Sequence, residues 1–408
     1  MSCREFDAVV VGLGPAGSTA ARLLGEKGFS VLGIDRSHFP RWKPCGGGLS
    51  ARATALLPSG WEKVPHVVTT GVQVTMGDKD SQSVETGVPI AYQFHRDQLD
   101  HFLYEKAKVE SVVLETGILL EDLVYEEGIG FTLLINGQNV KTKRLFAADG
   151  VTSQVKRLLF GSPRESQKIP GGRSKKRGVN AGWPSSELLG KAEEPVNDRF
   201  VMIDIGSVPG GYAWSFPKDG ARKALGVAGL ITPLGSPVRT LREFLKSFRG
   251  EKEDPSDGEV STWIIPAWQS AKEHGEISGL FLVGDAGGLV DPFLGEGIYY
   301  AILSATKACE SIFVNDHPEK ASAAYSEWVK QEIFRDFAQA SRLSAVIYRF
   351  PAIYYRLVSR YPQLLTLFSQ IMTGLHDYRS FSRAAGVKLL RLPFKKFIPT
   401  LRTGRRFF

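Results

Sequence analysis

The chain has 408 residues, of which 43% are apolar and 23% charged, a composition typical of a globular protein with room for two lobes. Its cysteines, Cys3, Cys45 and Cys309, are odd in number and widely spaced, which argues against a secreted disulfide framework and a metal site. No apolar run reaches the ~18 residues of a membrane span and no leader pattern precedes the first strand, so we expect a cytoplasmic protein.

The first strong motif, FDAVVVGLGPAGSTAARLLGEKGFSVLGIDR, occupies residues 6–36. An apolar strand leads into a glycine-rich turn, a helix follows, and a second strand ends at Asp35, which is the βαβ fingerprint of dinucleotide binding. Gly12 permits the tight turn, Gly14 lets a pyrophosphate approach the backbone, and Gly17 lets helix and strand pack closely. Asp35 follows at the distance where a carboxylate can accept the ribose hydroxyls.

The segment RWKPCGGGLS, residues 41–50, contains three consecutive glycines after Cys45. Such a run stabilises neither a helix nor a strand, so its backbone is expected to pass close to something flat or to take positive φ angles. For Cys45, a buried structural thiol or a simple backbone contact to the cofactor remains an alternative to a chemical role.

Two later motifs distinguish an FAD site from an NAD site. The apolar segment 145–148 leads into Asp149-Gly150, and GLFLVGDAGGLVDPFLGEGI at 279–298 repeats this logic with Gly284-Asp285. A short buried strand ending in such a pair suits a carboxylate that binds a ribityl or ribose hydroxyl beside a phosphate. Because an NAD domain needs no such second set, the pattern predicts FAD, and we expect its flavin ring to be the flat neighbour of residues 41–50.

Between these two motifs, residues 178–230 predict successive strands, the first around RGVNAGW and the others reading RFVMIDIG, GYAWSFPK and KALGVAGL. Within the third of these, Tyr212, Trp214 and Phe216 alternate, so in a strand their rings point to one face. We interpret this aromatic face as the roof of the active-site cavity. Simple packing of a sheet core is the alternative that periodicity alone leaves open.

The three dinucleotide elements together resemble the FAD-binding domain of the aromatic-hydroxylase-like flavoproteins. In those proteins the counterpart of Arg96, which starts the helix FHRDQLDHFLYEKA, reaches the FAD phosphates. A surface charge on a helix is the alternative for this arginine.

A more specific resemblance rests on Pro209-x-x-Tyr212-x-Trp214-x-Phe216-Pro217-Lys218, which matches the signature of the geranylgeranyl reductase family. KPCGGGLS, GDAGGLVDP and GEGI are also similar to that family, and the likeness covers about residues 6–310. Asp35 stands where Glu is commoner, which keeps the carboxylate. Family members use FAD to saturate isolated double bonds of polyprenyl chains, as diphosphates, archaeal-type ether lipids, or tails of chlorophyll and quinone.

The implied reaction adds a hydride and a proton to an isolated alkene, which builds cationic character on carbon. The rings of Tyr212 and Trp214 are expected to stabilise that charge by up to about 2 kcal/mol. Cys45, as a thiol kept neutral by apolar burial, is the first candidate for the proton donor, with Tyr299 and Glu296 as weaker candidates. The expected partners are a prenyl-chain substrate and an electron donor, either NAD(P)H or ferredoxin.

The predicted site residues fall into three groups. The catalytic candidates are Cys45, Tyr212 and Trp214, and no metal ligands are predicted. The candidates for cofactor binding are Gly12, Gly14, Ala16, Gly17, Asp35, Arg36, Cys45, Gly46, Gly48, Arg96, Leu120, Asp149, Gly150, Asp285, Gly295, Gly297 and Ile298. The candidates for substrate binding are Tyr212, Trp214, Phe216, Pro292 and Phe293.

Two other functions share these motifs. One is a flavin monooxygenase or halogenase on the same fold, although Trp263-Ile264-Ile265-Pro266 lacks the paired tryptophans of a halogenase. The other is a non-catalytic flavoprotein of the membrane surface that only binds lipid or passes electrons.

The net charge of +8 is concentrated at one end of the chain. Residues 341–408 hold 13 Lys or Arg and one acid, Asp377, whereas residues 1–340 hold 38 basic and 42 acidic residues. Cations interleaved with aromatic residues are typical of surfaces that lie against anionic lipid headgroups, so we expect peripheral contact at the inner face of a membrane. A solvated helical face or a disordered basic end is the alternative. No recognition motif accompanies the charge, so nucleic-acid binding is not expected.

The motif order predicts an α/β fold, α+β overall, in three parts. A Rossmann-like FAD-binding domain with a parallel sheet is expected from residues 1–60, 95–160 and 279–311. An antiparallel substrate domain is expected from 61–94 and 165–278, and a helical C-terminal region with a basic tail from 312–408.

Overall fold

A computed structural model describes residues 3–77, 81–161, 183–191, 198–219, 222–231, 235–249, 260–269 and 277–383. Two sequence predictions lie outside these residues. One is the predicted strand around RGVNAGW, of which only Trp183 is described, and the other is the basic end beyond residue 383.

The strands in this part of the chain are β1 Arg4–Phe6, β2 Ala8–Val11, β3 Val31–Asp35, β4 Gly48–Ser50, β5 His66–Thr69, β6 Gly71–Thr75, β7 Gln82–Glu85, β8 Ala91–Phe94, β9 Val112–Thr116, β10 Leu120–Glu126, β11 Gly130–Ile135, β12 Gln138–Thr142, β13 Leu145–Ala147, β14 Trp183–Lys191, β15 Phe200–Asp204, β16 Gly211–Lys218, β17 Arg222–Gly229, β18 Val260–Ile265 and β19 Leu280–Leu282. The α-helices are α1 Pro15–Glu26, α2 Arg96–Lys106, α3 Gln154–Phe160, α4 Pro237–Arg249, α5 Ile298–Val314, α6 Pro318–Trp328, α7 Arg335–Arg349, α8 Pro351–Arg360 and α9 Gln363–Met372. Shorter 3₁₀ turns occupy Ala51–Leu56, Trp61–Lys63 and Gly284–Gly287, and a π-helical turn occupies Val329–Phe334.

A parallel sheet in the order β19-β13-β2-β3-β9 carries the dinucleotide motifs. Its central strands are apolar throughout, because α1 and α5 pack on one face and the meander β10–β12 covers the other. Val11, Ala147 and Leu282 pair side by side near the carboxyl ends of their strands. The turns that follow these strands therefore meet at one edge of the sheet, where α/β folds bind ligands.

A second sheet has the order β18-β14-β17-β16-β15-β6-β7. Its pairs are antiparallel as predicted, except that β15 and β6 run parallel. The register aligns Glu187, Gly226, Trp214 and Ile203 in one row across four neighbouring strands. Residues in such a row face the same side of a sheet, so the register decides what surrounds Trp214.

The helices after α6 pack directly on this second sheet. Ile347, Tyr348 and Leu365 share one buried apolar cluster with Val72 and Trp214. The predicted fold class is therefore confirmed, and the C-terminal helices are an integral part of its core. Among the described residues, no helix combines the length and the apolarity that crossing a bilayer requires.

Candidate active site

A cavity of about 550 Å³ connects the carboxyl edge of the parallel sheet with the face of the second sheet. The part we call the cofactor arm is lined by the glycine-rich turns, by the carboxylates that follow the parallel strands, and by Arg36, Arg41 and Lys43. The part we call the apolar arm is lined by Val72, Val74, Val201, Ile203, Ile205, Tyr212, Trp214, Phe293, Ile347, Tyr348, Tyr354, Leu365, Phe368 and Met372.

Most predicted site residues line this cavity. They are Gly12, Gly14, Ala16, Asp35, Arg36, Cys45, Gly46, Gly48, Arg96, Leu120, Asp149, Gly150, Tyr212, Trp214, Phe216, Asp285, Phe293, Gly295, Gly297 and Ile298.

Gly17 and Pro292 do not line the cavity, and the structure shows the close helix–strand packing that was predicted for Gly17. A Cβ on Gly17 would lie 1.7 Å from the Gly12 carbonyl oxygen, so this glycine serves the close packing of α1 on its strand. The carbonyl of Pro292, in the segment between β19 and α5, accepts a 2.6 Å hydrogen bond from the Ser344 hydroxyl. This bond connects that segment to α7. Both residues support the site from behind its wall.

The glycine-rich turn between β2 and α1 allows the backbone to come close to a ligand. Gly12 has φ +92°, and a Cβ there would lie 2.4 Å from the Ala148 carbonyl oxygen. The Asp35 carboxylate accepts hydrogen bonds from the main-chain N–H groups of Leu13 at 2.7 Å and Ser37 at 2.8 Å. Asp35 is thereby fixed against the turn at the carboxyl end of β3.

Unpartnered polar atoms in the cofactor arm fit a dinucleotide. Oδ2 of Asp149 accepts from the main-chain N–H groups of Gln154 and Val155, whereas Oδ1 is buried with no hydrogen-bond partner among the described residues. Burial raises the pKa of this carboxyl. The buried Nε of Arg41 is also unpartnered in this part of the chain, and its Nη2 lies 3.1 Å from where a Cβ on Gly14 would stand. A phosphate and sugar hydroxyls are the groups that such atoms bind.

Arg96 starts α2 as predicted, but its guanidinium is already engaged. It donates to both carboxylate oxygens of Asp100, at 2.9 and 2.8 Å, and its charge lies close enough to Cys45 for the two groups to affect each other. Burial would lower the pKa of Arg96, and the Asp100 carboxylate outweighs this and raises it. Burial would raise the pKa of Asp100, yet the charges of Arg96 and Arg41 lower it.

Cys45 is half-buried and packs against an apolar cluster that contains Leu49, Phe94 and Ile298, with the charge of Arg96 nearby. The main-chain N–H of Gly47 donates to its sulfur at 3.4 Å. The glycines that follow pass close to aromatic rings, because a Cβ on Gly46 would lie 2.8 Å from the Phe216 ring and 3.0 Å from Trp214 Nε1. The aromatic strand is therefore one flat neighbour of this segment, and the flavin ring remains a predicted one.

The three alternating rings of β16 share one face, as predicted. Ring centroids are 5.9 Å apart for Tyr212 and Trp214 and 6.3 Å apart for Trp214 and Phe216. Tyr212 donates a hydrogen bond to the carbonyl of Leu294 at 2.5 Å, and burial raises the pKa of its phenol. Stacking on Tyr348, at 6.0 Å, joins this face to α7.

The two weaker candidates for the proton donor have other contacts. Glu296 forms a 2.6 Å ion pair with Arg52 and accepts from the main-chain N–H of Ser50, so its carboxylate is held beside a cation. The Arg52 guanidinium also lies over the ring of Tyr299, 4.1 Å from its centroid. Burial raises the pKa of Tyr299, against the opposing charge of Arg52. This geometry favours neither residue as an acid.

Sequence reasoning missed several residues of the site. The cavity wall from α7 to α9 carries no motif, and Arg41 was not considered although it stands in the quoted segment RWKPC. Glu187 on β14 and Lys218 at the end of β16 are both buried, and Glu187 lines the cavity. The sequence could have indicated Lys218, because it is the last residue of the motif that begins at Pro209 and contains the three aromatic residues.

In comparisons with known proteins, no family model matches the chain. The chain is 28% identical over 357 residues to digeranylgeranylglycerophospholipid reductase 1 of Methanopyrus kandleri, covering 83% of this chain and 89% of that protein. It is 26% identical over 375 residues to menaquinone reductase of Mycolicibacterium smegmatis, covering 84% of each.

Solved structures show the same fold. A geranylgeranyl bacteriochlorophyll reductase-like protein of Thermoplasma acidophilum superposes with a TM-score of 0.68 at 23% identity, covering 85% of this chain and 88% of that one. The flavin-dependent brominase Bmp2 gives 0.67 at 19% identity, with 95% and 99% covered. These similarities confirm the resemblance to the geranylgeranyl reductase family and to the oxidoreductase class, and the solved structures show that the fold is shared.

Proposed function

We propose that this protein is an FAD-dependent reductase that saturates isolated double bonds of geranylgeranyl or other polyprenyl chains. One observation carries the proposal, namely that the cofactor arm and the apolar arm belong to one cavity, in which Gly46 of the first lies against Trp214 of the second. The apolar arm suits a hydrocarbon chain because aliphatic and aromatic side chains supply most of its wall. Relatives named as reductases of a digeranylgeranyl lipid and of menaquinone support a prenyl substrate.

Each half of the cavity has a separate task in this proposal. The glycine turn, Asp35, Asp149 and Arg41 would hold FAD, which when bound supplies the hydride. Tyr212 and Trp214 orient the chain and face the carbon that becomes electron-poor, while the apolar wall excludes water. Cys45 would hold the proton at Sγ, beside the Arg96 guanidinium. The electron donor we propose is NAD(P)H or a ferredoxin.

An anaerobic experiment tests the reductase function. The purified protein is reduced with dithionite and mixed with geranylgeranyl diphosphate or a prenylated lipid extract, and its flavin absorbance and product masses are followed. We expect flavin reoxidation together with mass gains of two hydrogens per bond. If prenyl compounds never reoxidise the flavin, the proposal is wrong. Oxygenated or halogenated product formed in air, with a hydroperoxide spectrum, would instead indicate the monooxygenase or halogenase.

Trp214→Ala is expected to slow this reoxidation about tenfold or more while flavin binding is kept. The ring lies over Gly226, where a Cβ would be 2.1 Å from Trp214 Cζ2, so its loss opens the apolar arm and removes the cation–π contribution. Phe160→Ala is a matched control, because that ring is 41% exposed at the end of α3 and does not line the cavity. Equal reoxidation rates of wild type and Trp214→Ala would show that Trp214 has no role in the reaction.

We also propose that the protein contacts an anionic membrane through the outer face of α7 and α8. This docking face carries Val346, Phe350 and Ile353, which are 62%, 55% and 61% exposed. The exposed arginines Arg342, Arg349, Arg356 and Arg360 lie on the same two helices, and residues 341–376 contain no acid. Exposed apolar side chains among cations fit an anionic lipid surface. Ile347, Tyr348 and Tyr354, on the other side of these helices, line the apolar arm.

Replacing Phe350 and Ile353 together by serine is expected to lower sedimentation with anionic liposomes about tenfold or more, since each lost side chain removes about 1.5–3 kcal/mol of burial in lipid. Binding of the unchanged protein should also fall steeply with salt, because screening acts within about 8 Å at physiological ionic strength. Val124→Ser with Ile129→Ser, two exposed positions on and beside the meander, is the matched control. Equal sedimentation of both double variants would exclude this face as the contact.

A further inference from the structure

A buried carboxylate lies in the same row of the second sheet as the central ring of the aromatic strand. Glu187 pairs with Gly226, and Gly226 pairs with Trp214, so all three face the cavity side. Because Gly226 has no side chain, the Trp214 ring fills the space above it. Glu187 is 6% exposed and lines the cavity. Buried positions of this kind are mostly occupied by apolar side chains.

This carboxylate is incompletely satisfied. Its Oε2 is buried with no hydrogen-bond partner among the described residues, while the main-chain N–H of Cys45 approaches the same carboxylate. The Nε1 of Trp214 is likewise buried without a partner in this part of the chain. A buried carboxylate with a free oxygen is costly as an anion, and protonation at Oε2 lowers that cost.

A buried lysine stands behind the Cys45 segment. Lys218 is 3% exposed, and its Nζ donates to the carbonyls of Gly46 at 2.7 Å and Phe94 at 2.5 Å. A Cβ on Gly47 would lie 2.6 Å from this Nζ, so the lysine lies directly against the glycine run. Lys218 therefore fixes the segment that carries Cys45, and its charge acts on Glu187.

We propose that Glu187 is the acid that returns a proton to Cys45 in each catalytic cycle, with Lys218 as a positioning residue. This inference rests on the proposed function. Each saturated bond takes up a hydride from the reduced cofactor and a proton from Cys45, whose S–H bond breaks as the C–H bond forms. The resulting thiolate, beside Arg96, then takes the proton from Oε2 of Glu187. Solvent reprotonates the carboxylate before the next turnover.

The charged surroundings of Glu187 come from three elements. Burial raises the pKa of its carboxyl to about 7, against the opposing effects of Lys218 on β16, the Cys45 N–H and Arg96 on α2. Burial lowers the pKa of Lys218, which is opposed by Glu187 and Asp219, and Asp219 is itself paired with His95 at 2.6 Å. A raised pKa keeps the carboxyl protonated to higher pH. Glu187 can therefore donate a proton below about pH 7, and it loses this ability as the pH rises through that value.

Glu187→Gln tests this inference because it keeps the shape and removes the proton. We expect flavin content and the first turnover of the reduced enzyme to be retained, and steady-state turnover to fall about 100-fold or more, as for loss of a general acid. The decline of wild-type turnover as the pH rises through about 7 should disappear in the variant. Glu187→Asp, which keeps an acid, should restore part of the turnover. Glu243→Gln, an exposed carboxylate on α4, is the matched control.

A second measurement needs no catalysis. The rate at which iodoacetamide alkylates Cys45 is recorded against pH in a Cys3→Ser background. Replacing the Glu187 carboxylate by an amide should change the rate of alkylation measured above pH 7, because a charge beside the reacting sulfur alters its attack on the reagent. A profile that coincides with that of wild type would overturn the inference, whatever the turnover. If prenyl substrates fail with the unchanged protein but the profile changes, the proposed substrate is wrong and the link between Glu187 and Cys45 stands.

Discussion

Gly12→Ala is expected to yield a folded protein that retains no flavin through gel filtration. The position has φ +92°, and the new Cβ would lie 2.4 Å from the Ala148 carbonyl oxygen and 2.7 Å from Asp149 Cα. The turn must move, and with it the backbone that approaches the pyrophosphate. Backbone strain of about 3 kcal/mol corresponds to roughly a hundredfold loss of affinity. The measurement is the flavin absorbance per protein.

Gly28→Ala provides a matched control for this experiment. Gly28 also has a positive φ, +84°, at the end of α1, but a Cβ there meets nothing within 4 Å. This variant carries the same kind of backbone strain without the collision, so we expect normal flavin content. Wild-type flavin content in Gly12→Ala would refute the assignment of this turn to the cofactor.

Cys45→Ser is expected to bind flavin and accept electrons normally but to reduce prenyl substrate about 100-fold more slowly, the effect expected for a general acid. A hydroxyl fits where the thiol stood and is a much poorer acid, so the proximity to Arg96 is kept while the proton is not delivered. Single-turnover reoxidation by substrate measures the effect. Cys3→Ser, at an exposed position, is the control. Near-normal turnover of Cys45→Ser would leave Cys45 as a cofactor contact.

The parts of the site that follow local chemistry could be predicted from the sequence. The turn from Gly12 to Gly17 needs particular glycines within a few residues, and the carboxylates Asp149 and Asp285 follow short apolar strands. Alternation alone placed Tyr212, Trp214 and Phe216 on one face. These features depend on neighbours in the chain, and the structure brings them to one cavity. The proposed domain boundaries remain a prediction.

The remaining features depend on contacts between distant segments. Glu187 lies in the same row as Trp214, on the cavity side, because of the register across β14, β17 and β16. Alternation within one strand does not reveal that register. The cavity wall of α7–α9 consists of ordinary amphipathic helices, so nothing in residues 341–372 distinguished a substrate wall from a core. For Cys45, the sequence indicated apolar surroundings, which the structure shows, but not the nearby charge of Arg96, which stands about fifty residues later in the chain.

The wall of the apolar arm is assembled from segments that are far apart in the order of synthesis. Val72 contributes to the sheet face and Leu365 to its cover, and both belong to one buried cluster. At about 5–20 residues per second, translation separates these two residues by roughly 15–60 s. The sheet is complete only when β18 has been made, so its apolar face stays uncovered for about the last 100 residues of that interval, which favours aggregation. Competition between the arrival of the last helices and association of incomplete chains therefore limits the yield of folded protein.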